Sequence, residues 1–143
     1  MIVFDLEWNN GRGELLFDEI IQIGSVKLDM KLGKITDTLN IYVHPSVQKS
    51  MSRVVKKLPE LSKSLESKLS FKDAAAMFFE WCGNDRDFGT WGNSDFPVLA
   101  SNISYWDVQA QIPDSYTDLQ KAFGKMVGTN DQIALSQAAE YCG

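Results

Sequence analysis

An α/β fold, a mixed sheet with helices packed on its faces, follows from three features of the sequence. Extended, β-branched segments crowd the first 43 residues, helical periodicity dominates from residue 70 onward, and one short strand-like stretch interrupts that helical half. The 143 residues, 44% hydrophobic and 23% charged, have the size and composition of a single globular domain spanning 1–143. Such a composition excludes a disordered chain, collagen and a coiled coil. No apolar run approaches the roughly 18 residues of a membrane span, so no membrane partner is expected.

The first strand is read in Ile2, Val3, Phe4 and Leu6, followed by a turn in Trp8, Asn9, Asn10, Gly11, Arg12 and Gly13. A β-branched run from Ile20 to Leu28 turns at Lys31-Leu32-Gly33-Lys34 into a second run from Ile35 to Val43, which Pro45 stops. Together these predict an antiparallel meander with the first and most hydrophobic strand at its centre. Lys49, Arg53, Lys56 and Lys57 then recur at helical spacing opposite Met51, Val54, Val55 and Leu58, which predicts an amphipathic basic helix. From Ser70, a plausible cap with Asp73 three residues on, the positions Phe71, Ala75, Phe78, Phe79 and Cys82 follow one helical face, and Gly83 ends it. Arg86 to Trp91 reads as a short strand that feeds, through Gly92-Asn93-Ser94-Asp95, a helix carrying Leu99, Ile103 and Trp106 with Pro97 in its first turn. Two further helical faces, Leu119, Ala122, Phe123, Met126 and Leu135, Ala138, Ala139, Cys142, are separated by Gly128-Thr129-Asn130.

Cys82 and Cys142 lie sixty positions apart and His44 is the single histidine, which argues against a zinc site or a disulfide framework. Both thiols are read as reduced and apolar. The opening MIVFDLEW carries no secretory signal, so a cytoplasmic location is expected. Fourteen Lys and Arg against nineteen Asp and Glu give a net charge of -5. That sign opposes a grip on phosphate by bulk charge, so any nucleic-acid role requires local cations.

Asp5 and Glu7 sit two apart on the first strand and project from the same face, while Leu6 points to the other. Desolvation and mutual repulsion oppose ionisation of such a pair unless a cation compensates, and a hard divalent ion is the natural one for carboxylates without a His or Cys cluster. The alternative is that these acids merely close a strand as it enters solvent. Asp95 has its own alternative, a helix cap worth about 1 kcal/mol, and gains chemical meaning only if the sheet brings its strand beside the first. The basic stretch of Lys49, Arg53, Lys56 and Lys57 is either a solvated helix face or a phosphate track for a single strand. Trp8, next to the carboxylates, either stacks on a terminal base or packs in the core.

Three segments in order, Val3-Phe4-Asp5-Leu6-Glu7, Glu19 to Leu28, and Thr90-Trp91-Gly92-Asn93-Ser94-Asp95, resemble the DEDD family of 3′-to-5′ exonucleases, and Asp118-Leu119-Gln120-Lys121 is similar to a further recurrent stretch. The resemblance implies an RNase H-like fold and two-metal hydrolysis of the terminal phosphodiester, with Mg²⁺ or Mn²⁺ as the ions and single-stranded RNA or DNA ends as the substrate. By position it makes Asp5 the bridge between two metals, Glu7 a ligand of the metal that activates water, and Asp95 a holder of the second. Three carboxylates and two divalent ions leave the loaded site locally positive, which answers the objection from net charge.

The family's third motif places a His or Tyr base and a fourth Asp on a final helix. Nothing in this chain reads H-x₄-D; His44, in Tyr42-Val43-His44-Pro45, is expected to be structural or solvent-facing. The chain therefore resembles a family member without its last helix, expected to bind the second metal weakly and to lose the roughly 10²- to 10⁴-fold contributed by a general base. Apolar sheet surface left by that helix is expected to favour a homo-oligomer. A non-catalytic nucleic-acid-binding or protein-interaction module on the same fold is the alternative from a different class.

Overall fold

A computed structural model describes residues 1–11 and 16–143. Its centre is a five-stranded sheet of order β3-β2-β1-β4-β5. β1 (Ile2–Asn9), β2 (Glu19–Asp29) and β3 (Lys34–Tyr42) form the antiparallel meander, and β4 (Phe88–Thr90) and β5 (Thr117–Asp118) add to it in parallel. The first strand is central, as its apolar run predicts. Against the sheet lie α1 (Leu61–Glu66), α2 (Phe71–Cys82), α3 (Asp95–Tyr105), α4 (Leu119–Val127) and α5 (Leu135–Cys142). Among the described residues no helix is long and apolar enough to cross a membrane.

Alternation along β1 sorts its side chains. Ile2, Phe4 and Leu6 are buried in the core with Ile20, Ile23 and Ile41 of the neighbouring strands. α2 covers this face with Phe71, Ala74, Ala75, Phe78 and Cys82, and α3 covers it with Phe96, Val98, Leu99 and Ile103. Phe4 meets both Phe78 and Phe88 edge to face, at 5.9 and 5.7 Å between centroids, the geometry that aromatic quadrupoles favour. The capping box expected at Ser70 and Asp73 is present, and Gly83 ends α2.

The register of β1 against β2 shifts between Glu7 and Trp8, whose partners are Gln22 and Ile20. Ile21 is thus an extra residue on β2, and this bulge lets both Ile20 and Ile23 face the core despite their odd spacing. Its carbonyl accepts from the Val43 amide and from the Ser64 hydroxyl of α1, each at 2.8 Å.

Several expectations require correction. Trp8 and Asn9, read as part of a turn, continue β1, and Arg12 and Gly13 lie outside the described residues. Asn9 stays in the strand although polar because its buried side chain donates to the Ser50 carbonyl and accepts from the Ser52 amide. Those same bonds, with Ser52 Oγ accepting from Val55, take the backbone groups that a helix over 49–58 would use. The basic helix does not form, and only a 3₁₀ turn, Val55–Lys57, remains. α1 is too short to show a periodicity and was not anticipated. The strand over 86–91 narrows to β4. Of the apolar face in α5 only Ala138 is buried, and Cys142 is exposed while Cys82 is buried; both thiols are free.

Candidate active site

Parallel pairing of β1 with β4 brings the carboxyl ends of both strands to one edge, where open α/β sheets hold their ligands. The pairing covers only Ile2 and Val3 of β1. Beyond it, the chain after β4 turns through Gly92, at φ +105, a conformation side chains with a Cβ rarely adopt. Thr90 Oγ1 donates to the Gly92 carbonyl at 2.7 Å and fixes the turn. The Leu6 amide would otherwise lack a strand partner, and the Asp95 carboxylate supplies it: Oδ1 accepts from Leu6 N at 2.8 Å, across 89 residues of sequence. Asp95 is therefore the first residue of α3 and a clamp on β1, and Ser94 holds the cap position.

That clamp places a buried carboxylate against the strand segment bearing Asp5 and Glu7. Asp5 reaches solvent, yet the protein beneath it removes enough water to push its pKa up, and repulsion from Asp95 pushes the same way. Burial likewise raises Glu7, with smaller contributions from Asp5, Glu60 and Asp95. Burial is also the main influence raising Asp95, opposed by its bond from Leu6. Every influence on Asp5 and Glu7 disfavours their charged forms. Oxygen donors under mutual repulsion are the chemistry of a hard divalent cation site. Among the described residues no three His, Cys, Asp or Glu side chains already form a ready-made metal cage.

Glu7 and Trp8 also line a small cleft of about 160 Å³ with Leu6, Asn10, Val54, Val55 and Leu58. Ligand pockets hold roughly 300 Å³ or more, so this cleft is too small to enclose a whole ligand. Trp8 is half-buried there, serving both the core and the cleft wall. Lys49, Arg53, Lys56 and Lys57 are all exposed on the segment whose Val54, Val55 and Leu58 form the other wall. A larger polar cavity of about 260 Å³, between Asn93, the start of α4 and residues 129–132, contains none of the three site carboxylates. His44 is exposed in a separate cleft with Ser46, Ser67, Lys68 and Ser70.

Sequence reasoning missed three supports of the site. Glu19 is buried at the start of β2, and its carboxylate accepts from the amides of Ser46, Val47 and Gln48 at 2.5, 2.7 and 2.9 Å. Asn102, fully buried in α3, accepts from Ile20 and donates to Asp18 and Val98 carbonyls. A lone acid or amide inside an apolar pattern is the signal for both. Glu60, at the start of α1, acts on Glu7 through space, and its position in the sequence carries no such mark.

A 3-2-1-4-5 mixed sheet with carboxylates at the carboxyl end of its central strand and at the mouth of α3 defines an RNase H-like nuclease fold. The chain belongs to the RNase T exonuclease family, which matches residues 2–136, and is of the DEDD type. Among solved structures it is similar to the nuclease domain of 3′hExo, a DEDDh family member bound to rAMP. The TM-score is 0.75 at 17% identity, covering 96% of this chain and 72% of that one. Cell-death related nuclease 4 superposes with a TM-score of 0.74 at 18% identity over 99% of this chain and 54% of its own. A 3′-exonuclease structure concerned with recognition of the histone mRNA stem-loop gives 0.70 at 16% identity, covering 96% and 64%. No curated protein matches the chain.

Proposed function

We propose that the chain is a metal-dependent 3′-to-5′ exonuclease that trims single-stranded nucleic-acid ends, with Asp5, Glu7 and Asp95 holding two Mg²⁺ or Mn²⁺ ions. The observation that carries this reading is the Asp95–Leu6 bond, which brings an acid from the second half of the chain onto the strand bearing the other two. The names of the structural relatives, one a nuclease domain bound to rAMP and one a 3′-exonuclease that recognises the 3′ end of a histone mRNA stem-loop, support the substrate class and the direction.

In this reading, divalent ions held by Asp5, Glu7 and Asp95 would supply charge stabilisation for an in-line displacement and a more acidic water. Asp5, Glu7 and Asp95 would hold the ions as carboxylates, and the cations would offset the cost of their burial and the repulsion acting on Asp5 and Glu7. The wall of Trp8, Val54, Val55 and Leu58 holds the edge of the terminal base. Lys49, Arg53, Lys56 and Lys57 hold phosphates of the following nucleotides. His44 lies in the other cleft, so it gives the attacking water no general-base help.

Calorimetric titration with Mn²⁺ tests the ligand set: the chain should bind the ion, and Asp5→Ala should abolish the heat. A 5′-labelled single-stranded oligonucleotide should shorten stepwise from its 3′ end only when the metal is present. Equal heats for the two proteins would remove the metal site, and trimming from the 5′ end would reverse the assigned direction.

A further inference from the structure

The charges are not spread evenly. Residues 49–72 carry seven of the fourteen Lys and Arg with only Glu60 and Glu66 against them, while the other 119 residues carry seven bases and seventeen acids. A strongly positive segment thus sits in an acidic protein. All seven cations, Lys49, Arg53, Lys56, Lys57, Lys63, Lys68 and Lys72, are exposed. Among the described residues the one ion pair joins the Met1 ammonium to Asp85, so none of the seven is neutralised by a carboxylate. Lys72 stands in the first turn of α2, where the helix dipole disfavours a cation, so local helix stability does not account for it.

The fold connects these cations to the candidate active site. Leu58 lines the cleft with Glu7, and α1 begins three residues further on, at Leu61. α1 therefore starts beside the carboxylates. It spans about 9 Å at 1.5 Å per residue, with Lys63 on its exposed side against the Tyr42 ring. At its end, Ser67 is shared by two surface clefts, one lined by Tyr42 and Lys63, the other by His44, Ser46 and Lys68. The loop under the second cleft is pinned by the three amide bonds to Glu19.

We infer that residues 49–72 form one cationic ramp leading from the carboxylate site along α1 to the start of α2, so that the chain selects single strands several nucleotides long over dinucleotides. This rests on the exonuclease reading and names its substrate more narrowly: a strand whose end lies at Glu7 and Trp8 and whose upstream phosphates lie on Lys63, Lys68 and Lys72. A dinucleotide, with a single internucleotide phosphate, cannot occupy all three at once.

The test compares the whole chain with a Lys63→Gln, Lys68→Gln, Lys72→Gln variant, using 5′-fluorescein oligonucleotides of 2 and 12 nucleotides, anisotropy, EDTA and 50–200 mM KCl. Each phosphate contact contributes a slope of about -0.7 in log K against log salt for a single strand, so losing three should flatten the 12-mer slope by about 2. The variant should bind the 12-mer at least tenfold more weakly and the dinucleotide within twofold of the parent. Lys31→Gln with Lys34→Gln, on exposed lysines of the β2–β3 turn at the far end of the sheet, should change neither. Unchanged 12-mer binding, or equal losses for both lengths, overturns the ramp. The same proteins with Mn²⁺ separate the two ideas: length-dependent binding without trimming refutes the exonuclease reading and keeps the ramp, while trimming that ignores length refutes the ramp alone.

Discussion

Replacing Glu19 by Ala removes one buried carboxylate and three acceptor contacts together. The contacts join β2 to residues 46–48, and none of the three amides is given another acceptor by the substitution. A hydrogen bond to a charged group contributes about 1.5–3 kcal/mol, and an abandoned buried donor costs about 1–3 kcal/mol. Val47 and Gln48 are half-buried and Ser46 is exposed, so water recovers part of that loss. Removing the carboxylate also relieves its own desolvation. The expected destabilisation is about 3 kcal/mol, a large part of the roughly 5–15 kcal/mol that holds a domain together. For a domain near 150 residues this lowers Tm by about 6–12 °C. Urea unfolding followed by circular dichroism measures it, and Glu19→Gln supplies an intermediate point. Gln retains one carbonyl oxygen and turns an NH₂ against an amide. A loss below about 1 kcal/mol for Glu19→Ala would show that the three contacts are replaced by solvent at no cost, and the pinned loop would have to be abandoned.

The metal-free protein should lose stability as pH rises from about 4. Asp5, Glu7 and Asp95 have folded pKa values above their unfolded ones, so between the two the unfolded chain holds fewer protons and the slope of stability against pH is negative. Asp5→Asn should flatten that decline in thermal melts from pH 4 to 7; a slope identical to the parent's would contradict the upward shift that burial, and secondarily Asp95, impose on Asp5. Gly124→Ala should destabilise α4, because a Cβ there stands 3.0 Å from the Thr129 carbonyl, and equal or higher Tm would mean the 129–131 turn yields freely.

The meander, the central place of β1 and the capped helix from Ser70 were legible because each is dictated by a short-range signal: period-two burial, turn residues, or a capping pair. The common face of Asp5 and Glu7 was legible for the same reason. The basic helix over 49–58 was misread because its pattern is genuine while Asn9, more than forty residues earlier, claims the backbone groups a helix needs. Asp95 shows the same limit from the other side: the local pattern reads it as a cap, whereas Ser94 holds that position and the end of β1–β4 pairing turns the Asp95 oxygen to Leu6. Partners set by tertiary contact, such as Glu19, Asn102 and Glu60, leave at most an odd polar letter in an apolar stretch.

The additional residue at Ile21 matters through its backbone, which ties three elements together. Side chains alternate along a pleated strand, so deleting Ile21 would set Ile20 and Ile23 two positions apart on one face, keeping the parity of β2 while removing both the bulge and its carbonyl. The same carbonyl receives donors from the end of β3 and from α1, so both neighbours lose their common anchorage at once. A one-residue deletion there would leave every side chain on its own face and still unfasten β3 and α1 from β2.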